Sequence, residues 1–294
     1  PPRSTLFPYT TLFRSPPELG PDCIAWECPN FYPLTTPEGE EYWILVISPL
    51  FQSHPGLRGY TRYTVGKWDG GTFEHGEWRP MELSADEFFY APNSLVDDRG
   101  RRLMWGWLIF GSSDGSPWQG LHTLPRELTL DSDLRLRQWP AEEVTKLRQE
   151  TLFDRQNVTL EAGESLDLAP GNLLEVELTL PAGSTGRVRL EVLRAPDAPR
   201  LTPLVFDCAT GELRCGGRAG QVELIPDTPI VLRVFLDRHL LEVYAAGRGV
   251  ISERAAPQPG DLGVRLIAEG AALELTSIKE WRLEDIWQES EPAT

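Results

Sequence analysis

No apolar run in the 294 residues approaches the roughly 20 that a membrane-spanning helix needs, so neither a spanning helix nor a membrane partner is expected. Basic charge is also short. Lys and Arg number 28 against 44 Asp and Glu, a net charge of −16, and a surface this acidic does not attract a polyanion by counterion release. Nucleic acid is therefore excluded as an expected partner. The four cysteines, Cys23, Cys28, Cys208 and Cys215, fit no zinc-binding spacing, and the four histidines are too scattered to complete one. No metal site is expected. The sequence also contains no phosphate-binding loop, no G-x-S-x-G elbow, no H-E-x-x-H and no dinucleotide fingerprint, which leaves carboxylate chemistry without a cofactor.

Gly and Pro total 52, 26 of each, and both interrupt helices, so many short strands joined by turns are expected. Eight of the ten tryptophans lie between residues 26 and 139. Flat rings with a polar edge suit either a β core or the wall of a sugar site, and their clustering favours at least one at a site.

Residues 1–15 contain a near-duplication, STLFPYT then TTLFRS, with neither a charged leader nor a cleavage site. They read as adapter-derived sequence and are set aside. Residues 41–47, 60–66, 72–78, 101–109 and 121–130 read as strands, separated by turn sequences such as Asp69-Gly70-Gly71 and Asp97-Asp98-Arg99-Gly100. Pro140, Glu142, Glu143, Lys146 and Arg148 have the order of a helix with acid at its start and base at its end, which predicts a linker helix over 140–152. From residue 153 to 294 the apolar residues alternate in 173–180, 187–193, 230–236 and 240–245, the period of strands with one buried face, and a β-sandwich is expected. Cys208 and Cys215 flank a turn there, and the spacing leaves a disulfide open.

The segment Trp26-Glu27-Cys28-Pro29 sets an acid between an indole and a Cys-Pro pair. A carboxyl desolvated by an indole keeps its proton to a higher pH and suits a general acid. Four stretches give this acid a context: Trp26-Glu27-Cys28-Pro29-Asn30-Phe31; Phe89-Tyr90-Ala91-Pro92-Asn93-Ser94 with Asp98-Arg99-Gly100-Arg101-Arg102 and Trp105-Gly106-Trp107; Leu124-Pro125-Arg126-Glu127-Leu128; and Val234-Phe235-Leu236-Asp237-Arg238 with Leu241-Glu242-Val243-Tyr244. In this order they resemble glycoside hydrolase family 32, the β-fructofuranosidase, levanase and inulinase group.

The resemblance implies an all-β fold, a five-bladed β-propeller followed by a C-terminal β-sandwich. It also implies a retaining hydrolase that uses an Asp nucleophile in N-D-P, an Asp stabiliser in R-D-P and the Glu of E-C-P as acid/base, which is Glu27 here. Tyr90, Asn93 and Trp107 fall on substrate-binding positions, and Trp26 and Cys28 on supporting ones. For Cys28 a small buried thiol is an equal alternative. Neither N-D-P nor R-D-P occurs in the 294 residues. The chain is therefore expected to be a fragment in which residues 16–139 hold only the last blades, inactive by itself on sucrose-, inulin- or levan-type substrates. The other reading is a non-catalytic carbohydrate-binding or assembly module. Phe88 and Ser48-Pro49-Leu50-Phe51 depart from the family pattern at positions that touch substrate choice. Asp97, Asp98, Asp237 and Arg238 read as turn residues. The compartment stays open between cytoplasm and secretion.

Overall fold

The computed structural model describes residues 23–51, 61–84, 88–109 and 120–286. The adapter-like segment, His54, Asp86, Glu87 and Trp118 lie outside the described residues. Strands are the main regular structure of the described residues, and the chain divides into two compact units between Ala141 and Glu142.

The first unit contains two antiparallel sheets. In one, β1 (Cys23–Thr35), β2 (Glu41–Phe51), β3 (Arg62–Trp68) and β4 (Phe73–His75) lie in sequence order, and β5 (Arg79–Pro80) pairs with β3. The turn between β3 and β4 is closed by local chemistry. Asp69 accepts the N–H groups of Gly71 and Thr72 at 2.8 and 2.7 Å, while Gly70 takes φ 95°, a left-handed conformation that a side chain would disfavour. The other sheet orders β6 (Phe89–Val96), β7 (Arg102–Leu108), β9 (Arg126–Leu130) and β10 (Leu136–Pro140), with β8 (Leu121–His122) also on β7. Asp97 closes its first turn by accepting from the backbone of Arg99 and Arg101.

Strand alternation gives the first sheet two different faces. Ile44, Val46 and Ser48 of β2 share one face, where the Ser48 hydroxyl reaches the second sheet. Leu45 and Ile47 share the other, beneath Trp26, Phe31, Trp68, Phe73 and Trp78. Between the sheets the fully buried Arg126 donates to Glu82 at 2.6 Å and lies over the Phe89 ring. Gln138 extends this polar group by donating to the Met81 carbonyl at 2.6 Å.

The linker helix expected over 140–152 is not formed. Pro140 ends β10, a six-residue 3-10 turn covers Glu142–Leu147, and β11 (Arg148–Leu160) begins at once. Pairing decides the matter: Arg148 lies opposite Leu283 in β22 (Leu273–Leu283), and this long ladder outweighs a weak local charge pattern.

The second unit consists of two six-stranded antiparallel sheets. One runs β11, β22, β13 (Leu173–Leu180), β18 (Ile230–Asp237), β19 (Leu240–Ala245), β20 (Gly249–Arg254). The other runs β12 (Ser165–Asp167), β21 (Gly263–Glu269), β14 (Arg187–Arg194), β15 (Thr202–Asp207), β16 (Glu212–Cys215), β17 (Arg218–Gln221). Alternate residues such as Val188 and Leu190, or Val176 and Leu178, are buried, as in a sandwich. Arg238 turns the chain between β18 and β19 at φ 55° and pairs with Asp285. Cys208 and Cys215 are both buried and free, because register sets Cys215 opposite Leu204 rather than Cys208. Burial pushes both thiols up, Cys208 to about 12.

Candidate active site

Glu27 lies in β1 opposite Ser48, and Asn30 opposite Val46. Three steps along β1 match two along β2, so Cys28 and Pro29 form a bulge with one extra residue. Cys28 adopts φ 48° there. Proline fits this place because a bulge removes one N–H from the ladder. The neighbouring motif repeats the construction: Tyr90 pairs with Trp107 and Asn93 with Trp105, again three steps against two, and Ala91 adopts φ 46° before Pro92.

These two strands meet. The Ala91 N–H donates to the Ser48 hydroxyl at 3.1 Å, and Asn30 Nδ2 donates to the Pro92 carbonyl at 2.9 Å. Ser48 sits within 2.9 Å of the Thr61 hydroxyl, which donates to the Phe89 carbonyl. Glu27 shares the face of its partner Ser48, the face of the first sheet on which the β6 backbone docks. Glu27 is half-buried, Tyr90 buried and Asn93 exposed. Tyr90 and Trp107 touch edge to face with centroids 6.2 Å apart. The close approach of Gly120, whose added Cβ would fall 2.0 Å from Trp107 Nε1, seats that indole.

Two supporting residues stand differently from expectation. Adjacent residues of a strand point to opposite faces, so the Trp26 indole lies away from Glu27, against Leu45, Ile47 and Trp78 at 5.8 Å between centroids. Trp26 therefore packs the sheet and does not desolvate the carboxyl. Cys28 is exposed, which removes the small-buried-thiol alternative. Its thiol is pushed up first by partial burial and then by the negative charge of Glu27. Charge thus couples the two side chains.

Sequence reading named Asn30, Ser48 and Arg126 only as members of longer motifs, without the part they and Thr61 play in tying the two sheets together. A signal for the first was present: Glu27-Cys28-Pro29-Asn30 and Tyr90-Ala91-Pro92-Asn93 share the Pro-Asn pair at the same offset. Among the described residues no cluster of His, Cys, Asp and Glu is arranged to hold a metal ion.

Two meander sheets followed by two six-stranded sheets define an all-β protein of bipartite build. Residues 12–140 match the model of the glycosyl hydrolases family 32 N-terminal domain, and residues 143–282 that of the family 32 C-terminal domain. The chain belongs to glycoside hydrolase family 32. It is 30% identical to the raffinose invertase of Escherichia coli over 279 residues, 89% of this chain and 56% of the relative. It is 29% identical to the sucrose-6-phosphate hydrolase of Zymomonas mobilis, over 91% of this chain and 55% of the relative. The chain thus spans little more than half the length of these curated relatives. In fold it resembles the exo-inulinase of Aspergillus awamori, with TM-score 0.74 at 21% identity, covering 88% of this chain and 57% of that one.

Proposed function

We propose that the first unit is the last part of a five-bladed propeller and carries the proton-donor half of a β-fructosidase active site. Glu27 would protonate the leaving glycosidic oxygen and then take a proton from the water that releases fructose. Tyr90 and Trp107 would wall the fructosyl ring, with Asn93 at its edge. The observation that supports this reading is the junction of the two bulged strands, which ties the motif that contains Glu27 to the motif that contains Tyr90 within a family 32 chain.

Retention needs a second carboxylate, about 5 Å from the first, to trap the oxocarbenium-like centre. The 294 residues contain neither N-D-P nor R-D-P. On this reading the chain recognises fructosides of the sucrose, inulin or levan type and does not turn them over. An assay of the purified chain on all three substrates should show no multiple turnover. Titration with fructose or sucrose should show saturable quenching of Trp fluorescence, lost in Trp107→Ala. Quenching lost in that variant while sugar affinity persists by calorimetry would move the ligand to the sandwich, in favour of a carbohydrate-binding module. Sustained sucrose cleavage would overturn the half-site reading.

A further inference from the structure

A bulge strips backbone groups of ladder partners, and a left-handed residue other than glycine costs about 1–3 kcal/mol, so it persists only where its surroundings hold it. Cys28 and Ala91 both carry that cost next to the residues assigned to the site. What holds them is shared. The Ala91 N–H is taken by Ser48 at 3.1 Å, and the Pro92 carbonyl by Asn30 Nδ2 at 2.9 Å. The same Nδ2 lies 3.0 Å from the Cys28 carbonyl. Ser94 Oγ donates to Asn30 Oδ1 at 2.9 Å, which fixes the orientation of the amide. One side chain therefore satisfies a carbonyl in each bulge.

We propose that Asn30 is a positioning residue that locks the β1 bulge to the β6 bulge and so fixes where Glu27 stands beside that junction. The chemistry requires an amide: two donated hydrogens serve two carbonyls while the oxygen accepts from Ser94, and a carboxylate of the same size has no hydrogen to donate. The inference rests on reading Glu27 and Tyr90 as one site, so its test reads geometry without turnover.

Cys28 supplies the reporter. It is exposed while Cys23, Cys208 and Cys215 are buried, so the native chain offers a single thiol to a maleimide. Near neutral pH, Glu27→Gln should speed alkylation of Cys28 about threefold, because removing the negative charge enlarges the thiolate fraction. In an Asn30→Ala background the acceleration should fall below about 1.5-fold, since the relaxed bulge carries the carboxylate away from the thiol. Ser94→Ala should shrink it to an intermediate extent. The number of reactive thiols should stay at one, with Cys23 of the same strand still protected, a result that general loosening would not give.

Equal acceleration by Glu27→Gln with and without Asn30 overturns the proposal, as does the lack of any acceleration in the parent chain. Should Asn30→Ala expose all four thiols, Ser94→Ala and Ser48→Ala decide instead, and undiminished acceleration in both overturns it. Sucrose titration of the parent chain keeps the two readings apart. Intact coupling without sugar affinity retains the lock and removes the fructoside assignment.

Discussion

In the second unit the ladder between β13 and β18 runs without a break from Leu173 opposite Asp237 to Leu180 opposite Ile230. In the first unit β1 and β6 both lose register in mid-strand, each at a residue before proline. The contrast separates two uses of one antiparallel architecture. An unbroken ladder satisfies its own backbone and leaves side chains to fill a core. A bulged strand re-aims a side chain, and its freed groups must be met from elsewhere, here by Ser48 and Asn30.

If the first unit depends on polar groups between its sheets, the largest loss should come from Arg126→Met. It would remove the fully buried guanidinium that pairs with the buried Glu82 at 2.6 Å, at a cost of about 3–5 kcal/mol. Denaturant midpoints measure it, and a loss below about 1 kcal/mol would remove the supposed difference between the units. Glu280 probes the second unit. Buried on β22, it accepts from the Ala169 N–H at 2.9 Å through one oxygen, and burial pushes its carboxyl up from 4.5 to about 7. A raised carboxyl pKa favours the protonated fold, so its stabilising contribution is complete below about 4.5 and is lost as pH rises through about 7. Glu280→Gln keeps the acceptor and cannot ionise. It should match the parent at low pH and exceed it at pH 8 by on the order of 2–3 kcal/mol in thermal or denaturant melts. A flat difference across that range would show that Glu280 is not the group responsible.

The smallest stability effect sharpens the comparison most. A Cβ at Gly106 would meet the Phe89 ring at 2.1 Å, so Gly106→Ala should cost about 1–3 kcal/mol while displacing the strand that bears Tyr90. On the proposed fructoside reading, fructose affinity should fall about tenfold, a loss of roughly 1.4 kcal/mol in binding, with the second unit's transition unchanged. Unchanged affinity would detach the β6 bulge from ligand recognition.

Much of the strand content was legible. The runs at 173–180 and 240–245 coincide with β13 and β19, although β19 is buried on both faces. The acidic turn at Asp97 was legible because an Asp side chain closes its own turn locally. β1 was visible only as a motif, since Pro29 and Pro33 argue against a 13-residue strand until the bulge is known. The apparent helix at 140–152 failed because its fate lay with residues more than 130 positions away.

Composition and local pattern alone determined an all-β chain, its acidic character, its turns and the Glu27 and Tyr90 motifs, since each depends on neighbours within a few residues. Tertiary structure decided which face each side chain serves. Trp26 and Glu27 are adjacent in sequence and opposite in space, whereas Asn30 and Pro92 are 62 residues apart and hydrogen-bonded. The physical reason is the two-residue period of a strand: one extra residue in a bulge reverses every direction after it, and only a contact from another strand can hold that reversal in place.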